Sequence, residues 1–303
     1  MKILILGGSG MLGHRLWINL SKQHDVYVTV RTQSNPFPDV PEFPKNRVIC
    51  GVEGLIAEEV IGTIATVKPE VVINCIGIIK QLENSNPMYP IMVNTLLPHQ
   101  IANVCRAANI RMIHISTDCV FSGNTGSYTE LSESDAIDLY GRTKFLGEVY
   151  YPHCLTLRTS IIGMELKNYL GLVEWFLRQE VQVHGYTHAI YTGFTTDELS
   201  NIINDYVLPN PDLHGLYHVS SYMVNKYELL KLMNKYFEYD TDVYPSGDFH
   251  CDRSLNSMKF RNATGYVPPS WDDMISKMAS TIKFYTSLKR EGVWSNGVRL
   301  VRP

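Results

Sequence analysis

The sequence predicts an α/β protein with a doubly wound parallel sheet and a smaller C-terminal lobe. In the first half of the 303 residues, short apolar segments alternate with stretches of helical periodicity. The apolar segments show no polar face, as expected for strands that helices cover on both sides. A glycine-rich turn follows the first segment. Regular strand–helix alternation of this kind favours a parallel sheet with right-handed crossovers.

The elements of the first half follow one another in order. Apolar and β-branched composition predicts strands over residues 3–6, 26–30, 48–51, 71–76 and 112–116. Helices are predicted from the glycine-rich turn to about residue 22, and over 55–66 and 90–108. Four prolines between residues 32 and 46 indicate a loop.

The second half alternates less regularly. A polar loop over 122–138 is followed by a predicted helix from about 139 to 150 and a strand over 155–159. Further amphipathic helices are predicted over 169–180, 197–206, 226–236 and 271–288. No internal repeat or flexible linker divides the chain, so the second lobe is expected to grow out of the first.

Composition and charge restrict the function classes. A formal net charge of −3 gives no electrostatic reason to expect nucleic acid or an anionic membrane as a partner. No stretch approaches the roughly 20 apolar residues of a membrane span, and the N-terminus lacks a signal-peptide pattern. The six cysteines are scattered, which predicts reduced thiols and a cytoplasmic location. Neither they nor the ten histidines show metal-ligand spacing, so no metal is expected.

The glycine-rich turn predicts a dinucleotide site. Glycines there let the backbone turn tightly and approach a pyrophosphate closely. The helix that follows offers free N–H groups and the positive end of its dipole to the same phosphates. The strand–turn–helix context favours this interpretation over a merely structural turn. The candidate cofactor-binding residues in this turn are Gly7, Gly10, Met11, Leu12 and Gly13.

The end of the second predicted strand predicts which nicotinamide cofactor is bound. NAD sites usually carry an acidic residue there for the ribose 2′-hydroxyl. This chain instead has Arg31, whose planar guanidinium can pair with a 2′-phosphate. The sequence therefore favours NADP(H) over NAD(H), unless Arg31 is simply a solvated surface residue.

Three residues form a candidate catalytic constellation: Thr117, Tyr140 and Lys144. Tyr140 and Lys144 are four residues apart, so on a helix they share one face. A nearby ammonium favours the phenolate and would lower the pKa of Tyr140. The tyrosine could then exchange a proton with a carbonyl or alcohol while the nicotinamide transfers hydride. The same spacing also fits a half-buried tyrosine above a solvated lysine, but its place after the fifth strand favours catalysis.

Several segments resemble the extended short-chain dehydrogenase/reductases, and within them the dTDP-4-dehydrorhamnose reductase branch. In the first half these are Gly7-x-x-Gly10-x-x-Gly13, Ser116-Thr117-Asp118-Cys119-Val120-Phe121-Ser122-Gly123 and Tyr140-Gly141-Arg142-Thr143-Lys144-x-x-Gly147-Glu148. In the second half they are Leu157-Arg158-Thr159-Ser160, Phe194-Thr195-Thr196-Asp197-Glu198-Leu199, Gly215-Leu216-Tyr217-His218-Val219 and Asp252-Arg253-Ser254-Leu255-Asn256-Ser257. The resemblance covers nearly the whole chain.

The resemblance implies a fold and a domain organisation. It implies a Rossmann-type sheet with a smaller C-terminal substrate-binding lobe. Residues 1–162, joined by about 188–208, are expected to form the NAD(P)-binding domain. Residues of about 163–187 and 209–303 are expected to form the lobe that closes over the substrate. The active site should lie at the carboxyl ends of the strands.

The resemblance also implies residue roles. It implies that Thr117, Tyr140 and Lys144 are catalytic, that Tyr140 and Lys144 also contact the cofactor, and that Ser116 lies beside it. Further residues along the cofactor are Cys75, Ile76, Gly77 and Asn94. The implied substrate contacts are Asp118 and Val120. Arg253 is a candidate for the substrate diphosphate because a planar cation suits that partner.

The implied activity is NADPH-dependent reduction of the C4 ketone of a nucleotide-linked 4-keto-6-deoxy sugar, for surface polysaccharide or deoxysugar biosynthesis. A homodimer is expected by analogy with the family. One departure bears on the substrate: the family commonly has tyrosine after Ser-Thr-Asp, and this chain has Cys119. Such departures favour a relative that acts on a UDP- or GDP-linked sugar.

Two alternatives to a reductase stay open. One is a nucleotide-sugar epimerase or dehydratase that recycles its nicotinamide internally. Arg31 argues against it, because recycling enzymes of this kind usually hold NAD, and Asp118 followed by Cys119 is an incomplete acid/base pair. The other is a non-catalytic regulatory subunit that binds NADP. The intact Thr117, Tyr140 and Lys144 argue against that alternative.

Overall fold

A computed structural model describes residues 1–79 and 86–290. The strands are β1 Lys2–Leu6, β2 Asp25–Thr29, β3 Val48–Ile49, β4 Val71–Asn74, β5 Arg111–Thr117, β6 Cys154–Thr159, β7 Ile161–Ile162, β8 Gln182–Tyr191, β9 Phe194–Thr195, β10 Gly215–His218, β11 Val224–Asn225 and β12 Asp242–Asp252. None of the described helices is long and apolar enough to cross a bilayer.

The helices lie between the strands, as the alternation predicts. They are α1 Met11–Leu20, α2 Ala57–Val67, α3 Leu97–Ala107, α4 Leu139–Leu146, α5 Leu172–Phe176, α6 Thr196–Ile202, α7 Lys226–Tyr236, α8 Met258–Thr264, α9 Trp271–Ser280 and α10 Ile282–Arg290. A π-helical segment, Ile91–Leu96, leads into α3, and a second one, Ile203–Val207, extends α6. A 3₁₀ turn, Asp118–Val120, follows β5.

Seven parallel strands form the central sheet, in the order β10-β6-β5-β4-β1-β2-β3. From β1 the sheet grows outward to β2 and β3 on one side and, starting with β4, on the other side. The strand order therefore reverses between β1 and β4, which pair in parallel. In open sheets of this kind, ligands bind outside the carboxyl ends of the strands at that reversal. The predicted Rossmann-type fold is therefore confirmed, and the sheet fixes where the site must lie.

The core consists of two apolar layers, one on each face of the central sheet. On β1, Ile3 and Ile5 face one layer, where Trp17 of α1 is fully buried. Leu4 and Leu6 face the other layer, beside α2 and α3. Side chains alternate between the faces of a strand, so a strand covered on both faces reads as a continuous apolar run.

A second sheet lies in the C-terminal half, with the strand order β11-β8-β12. Strands β8 and β12 are parallel, and β11 is antiparallel to β8. Helix α7 packs closely on this sheet at Gly185, where an added Cβ would come 2.5 Å from the Tyr227 Cα. No strand is predicted over β12, most of whose residues are exposed, and β8 overlaps only the start of the segment 188–208 expected in the cofactor domain.

The structure differs from the sequence prediction at several elements. The helix predicted over 169–180 is only α5, and the one predicted over 271–288 is divided into α9 and α10. Strand β10 lies in the segment expected to belong to the lobe, but it is the edge strand of the central sheet. Strand β8 ends within the segment expected to join the cofactor domain, but it belongs to the smaller sheet. The division into two domains stays a prediction.

Candidate active site

The glycine-rich turn connects β1 to α1 at the carboxyl end of the sheet. Gly7 has a φ of 88°, and an added Cβ on Gly13 would come 2.2 Å from the Gly7 carbonyl oxygen. Only glycine allows this close approach of turn and helix. Helix α1 begins at Met11, so the amides of its first turn have no intrahelical acceptor. The turn thus fits the diphosphate of a dinucleotide, as the spacing of its glycines predicts.

The chain after β4 runs beside this turn. The Cys75 amide donates to the Leu6 carbonyl at 3.0 Å, and an added Cβ on Gly7 would touch the Cys75 backbone at 3.3 Å. The Ile76 amide donates to Asn74 Oδ1 at 3.1 Å. Cys75 and Ile76 therefore lie next to the glycine-rich turn, where they are expected to line a dinucleotide.

Asn94 holds the segment after β4 in place. It lies in the π-helical segment before α3, is fully buried and accepts from the Ile78 amide at 2.8 Å. Its Nδ2 donates to the Ile78 carbonyl at 3.0 Å and to Thr143 Oγ1 at 3.3 Å. π-helical segments often occur at functional sites. The side chain of Asn94 thus positions the chain beneath the site, and its amide is engaged with protein groups.

Helix α4 brings Tyr140 to Thr117. Asp138 caps the helix by accepting from the Gly141 amide at 2.8 Å. An added Cβ on Gly141 would lie 2.3 Å from the Cys119 carbonyl oxygen, so glycine is needed for this approach. The Thr117 hydroxyl is close enough to the Tyr140 phenol to lower its pKa, against the larger effect of burial. The two residues predicted to share a substrate oxygen therefore lie together.

The phenol of Tyr140 does not have the predicted acidity. Burial raises its pKa above the usual value, and the neighbouring Cys119 and Asp118 add to that effect. The expected lowering by the Lys144 ammonium is wrong for the protein without cofactor. Burial dominates because the phenolate would lose its hydration. The phenol therefore keeps its proton at neutral pH.

Lys144 lies on the same helix and is buried, with 5% of its surface exposed. Its Nζ donates to the Ile115 carbonyl at 2.7 Å. Burial lowers its pKa to about 8, against the opposing effects of Glu148 and Cys75. The amine thus lies between the ends of β4 and β5, close to the groups expected to contact the nicotinamide ribose.

Ser116 faces away from the site. Its hydroxyl donates to Glu148 Oε1 at 2.7 Å, and Arg158 donates to both oxygens of the same carboxylate at 2.7 Å. All three side chains are buried. Successive residues of a strand point to opposite faces, so Thr117 reaches the site and Ser116 does not. Any cofactor contact of Ser116 is therefore limited to its main chain.

The predicted substrate contacts differ in accessibility. Asp118 is buried next to Thr117, and burial raises its pKa. Arg253 donates from Nε to the Phe121 carbonyl at 2.8 Å and lies 3.6 Å from the Cys119 sulfur. Val120 is fully buried in a small cluster with Phe121 and Tyr128. Its side chain presents no surface, and its contact with the sugar stays a prediction.

Arg31 is exposed beyond β2, with 68% of its side-chain surface accessible and Glu53 at 3.8 Å.

Sequence reasoning missed two residues near the site. Lys167 reaches the glycine-rich turn, where its Nζ donates to Ser9 Oγ at 2.7 Å. Tyr191 lies near Asp118, and its hydroxyl is close to Gly193. Both come from segments without a motif, so only the fold reveals them.

These features define a class of protein. A Rossmann-type sheet with a glycine-rich turn, and a threonine, tyrosine and lysine grouped after its fifth strand, is the arrangement of an extended short-chain dehydrogenase/reductase. Members of this class are nicotinamide-dependent oxidoreductases. The chain belongs to the RmlD substrate binding domain family, whose model matches residues 1–283.

Individual relatives agree with this family. The probable low-salt glycan biosynthesis reductase Agl14 of Haloferax volcanii is 28% identical over 73% of this chain and 75% of its own. The dTDP-4-dehydrorhamnose reductase of Escherichia coli is 26% identical over 76% of this chain and 86% of its own. The structure of dTDP-4-dehydrorhamnose reductase from Bacillus anthracis, in complex with NADP, has a TM-score of 0.74 and 21% identity, and covers 91% of this chain and 98% of its own.

Proposed function

We propose that the protein reduces the C4 ketone of a nucleotide-linked 4-keto-6-deoxy sugar with NADPH. The observation that carries the proposal is the proximity of Thr117, at the carboxyl end of β5, to Tyr140 of α4, with Lys144 buried one turn further along that helix. The names of the reductase relatives support the sugar-nucleotide substrate. Deoxysugar or surface-polysaccharide biosynthesis is the context that this activity suggests.

NADPH supplies the hydride when it is bound. The residues of the chain supply the rest of the chemistry. Thr117 and Tyr140 together would bind the ketone oxygen, and Tyr140 would give it the proton that completes the alcohol. A phenol with a raised pKa is protonated at neutral pH, as a proton donor in the reducing direction must be. Lys144 would hold the nicotinamide ribose and offset the charge that develops on Tyr140.

The preference for NADPH is part of the proposal. Arg31 lies just after β2, where this fold binds the adenosine ribose, and its side chain is accessible. Similar folds in other proteins have been solved with NAD as well as NADP. The comparison of the two reduced cofactors is therefore part of the test.

The substrate side of the site is also proposed. Asp118 and Arg253 lie beside Thr117 and Cys119, and we place the sugar and its diphosphate there. Cys119 is smaller than the tyrosine common in the family, which leaves more room for the sugar. The closure of a C-terminal lobe over the substrate and a homodimer stay predictions.

The test is NADPH consumption by the purified protein with a panel of dTDP-, UDP- and GDP-linked 4-keto-6-deoxy sugars. Tyr140→Phe should reduce kcat by roughly 10²- to 10⁴-fold, because the proton donor is lost. Tyr236→Phe, a change at a surface tyrosine of α7, should leave the rate unchanged. NADPH should be used faster than NADH.

Other outcomes would favour the alternatives. Conversion of a nucleotide sugar without net NADPH consumption would indicate a recycling epimerase or dehydratase. Tight NADPH binding with no turnover of any sugar would indicate a regulatory subunit. Turnover that is unaffected by Tyr140→Phe would contradict the proposed proton donor.

A further inference from the structure

The segment between β7 and α5 lies against the glycine-rich turn. Lys167 Nζ donates to Ser9 Oγ at 2.7 Å, and an added Cβ on Gly171 would come 2.8 Å from the Met11 Cε. Ser9 belongs to the turn itself, and Met11 is the first residue of α1. A segment more than 150 residues away in sequence therefore contacts both parts of the candidate cofactor site.

Contacts within this segment hold Lys167 in place. The neighbouring Leu166 is buried, and the Tyr169 hydroxyl donates to the Leu166 carbonyl at 3.1 Å. The Gly171 amide donates to Glu165 Oε2 at 2.8 Å. Asn168 and Tyr169 both have left-handed backbone, with φ values of 70° and 55°. Consecutive non-glycine residues in this conformation need surrounding contacts to maintain them, so the position of Lys167 is fixed by its own segment.

The charges around Lys167 favour an anion. Within residues 1–79 and 86–290, its ammonium forms no ion pair with a carboxylate, and the charge that acts on it is the guanidinium of Arg31, which itself lies 3.8 Å from Glu53 Oε2. Burial lowers the pKa of Lys167, and Arg31 lowers it further. Two cations from distant parts of the chain are thus held near one glycine-rich turn. A bound anion between them would offset their repulsion.

We propose that Lys167 and Arg31 together bind the 2′-phosphate of NADP, and that Lys167 thereby determines cofactor specificity. This inference rests on the NADP preference in the proposed function. The diphosphate is expected on the free amides at the start of α1. Lys167 Nζ bonds Ser9 Oγ, and its charge interacts with that of Arg31, which follows β2, where this fold places the adenosine ribose. The positive charges of Lys167 and Arg31 would therefore lie on either side of the 2′-phosphate.

The test is calorimetric binding of adenosine 2′,5′-bisphosphate (2′,5′-ADP) and of 5′-AMP, which differ only in the 2′-phosphate. Lys167→Met should weaken the binding of 2′,5′-ADP by roughly ten- to a hundredfold, as expected for a charged hydrogen bond. The binding of 5′-AMP should change by less than about twofold, which also shows that the variant is folded. Arg31→Met should act in the same direction. Lys22→Met, at an exposed position beyond the far end of α1, is the matched control and should change neither affinity.

Three results would overturn the inference. Wild-type protein could bind both nucleotides equally well, Lys167→Met could leave both affinities unchanged, or it could weaken both equally. The last result would assign Lys167 to the 5′-phosphate or to folding. Neither nucleotide carries the 4-keto sugar that the enzyme would reduce, so the outcome is independent of turnover. A selective loss of 2′,5′-ADP binding in a protein that reduces no sugar would support Lys167 and contradict the proposed reductase.

Discussion

At the scale of single residues, Lys144 is the buried amine of the candidate active site, and its hydrogen bond goes to a neutral backbone group. Its amine has one hydrogen bond to a backbone carbonyl and 5% exposure. Burial lowers its pKa to about 8, because the charged form loses hydration. Arg158, by contrast, is buried with two hydrogen bonds to Glu148. Arg158 is thus neutralised by a carboxylate, whereas the Lys144 amine can still donate hydrogen bonds to a bound cofactor.

This environment predicts a pH dependence of stability. An unfolded lysine titrates near 10.4, so the unfolded chain binds more protons than the folded one between pH 8 and 10.4. The cost of the buried charge is present below pH 8 and is relieved as the pH rises. The free energy of unfolding of wild type minus that of Lys144→Met should therefore increase by roughly 2 kcal/mol from pH 7 to pH 10.

Urea denaturation of both proteins at several pH values measures this difference. Comparing the two proteins cancels the titration of the buried cysteines and tyrosines, which both contain. A difference that stays flat or falls with pH would contradict the lowered pKa of Lys144.

Sequence motifs predict the residues of the candidate site, but not their electrostatics. The pairing of Tyr140 with Lys144 follows from spacing, because residues four apart on a helix share a face. The direction of the Tyr140 pKa shift depends on burial, which the motif does not encode. Lys167 is invisible in the sequence for a similar reason, since its contact with Ser9 exists only through the tertiary fold.

At the scale of elements, helix α4 builds the site by approaching both the 3₁₀ turn after β5 and the π-helical segment before α3. One glycine permits each approach. An added Cβ on Gly141 would lie 2.3 Å from the Cys119 carbonyl, and one on Gly147 would lie 1.8 Å from the Asn94 carbonyl. The contacts are with backbone, which cannot rotate away. The helix therefore depends on glycine both beside Tyr140 and at its C-terminal end.

Gly141→Ala should consequently displace Tyr140 from Thr117. We expect kcat to fall by at least about tenfold, as for a misplaced catalytic group, and stability to decrease by roughly 1–3 kcal/mol through overpacking. Gly62→Ala is the matched control, because nothing lies within 4 Å of an added Cβ there. In the interior of α2 that change should stabilise the protein by roughly 0.5–1 kcal/mol. Activity assays and thermal unfolding measure both effects, and an active, fully stable Gly141→Ala protein would contradict the packing argument.

Some elements were predictable from local pattern and others were not. Helix α7 begins and ends where the periodicity predicts. The helix predicted over 169–180 is shortened to α5, because the left-handed Asn168 and Tyr169 prevent an earlier start and Gly171 caps it. Strands β8 and β12 pair in parallel across about 60 residues. Most residues of β12 are exposed and β8 buries only Val183 and Gly185, so no local apolar pattern marks them.

At the scale of the whole molecule, the parallel sheet gathers residues from distant segments at one edge. The glycine-rich turn, the chain after β4 and the 3₁₀ turn after β5 all lie at the carboxyl ends of neighbouring strands. The alternation of strands and helices predicted this arrangement. It could not predict that β10 completes the sheet, because β10 follows the smaller sheet's β8 in the chain and is only four residues long.

The proposed function requires that hydride pass from NADPH to the C4 carbon of the sugar while Tyr140 protonates the oxygen. The direct measurement is the reaction of NADPH deuterated at the transferred position of nicotinamide C4, with the product analysed by mass spectrometry and NMR. We expect one deuterium at C4 of the product sugar and one equivalent of NADP⁺ formed. A product without deuterium, or one formed with no net oxidation of NADPH, would contradict the proposed reduction.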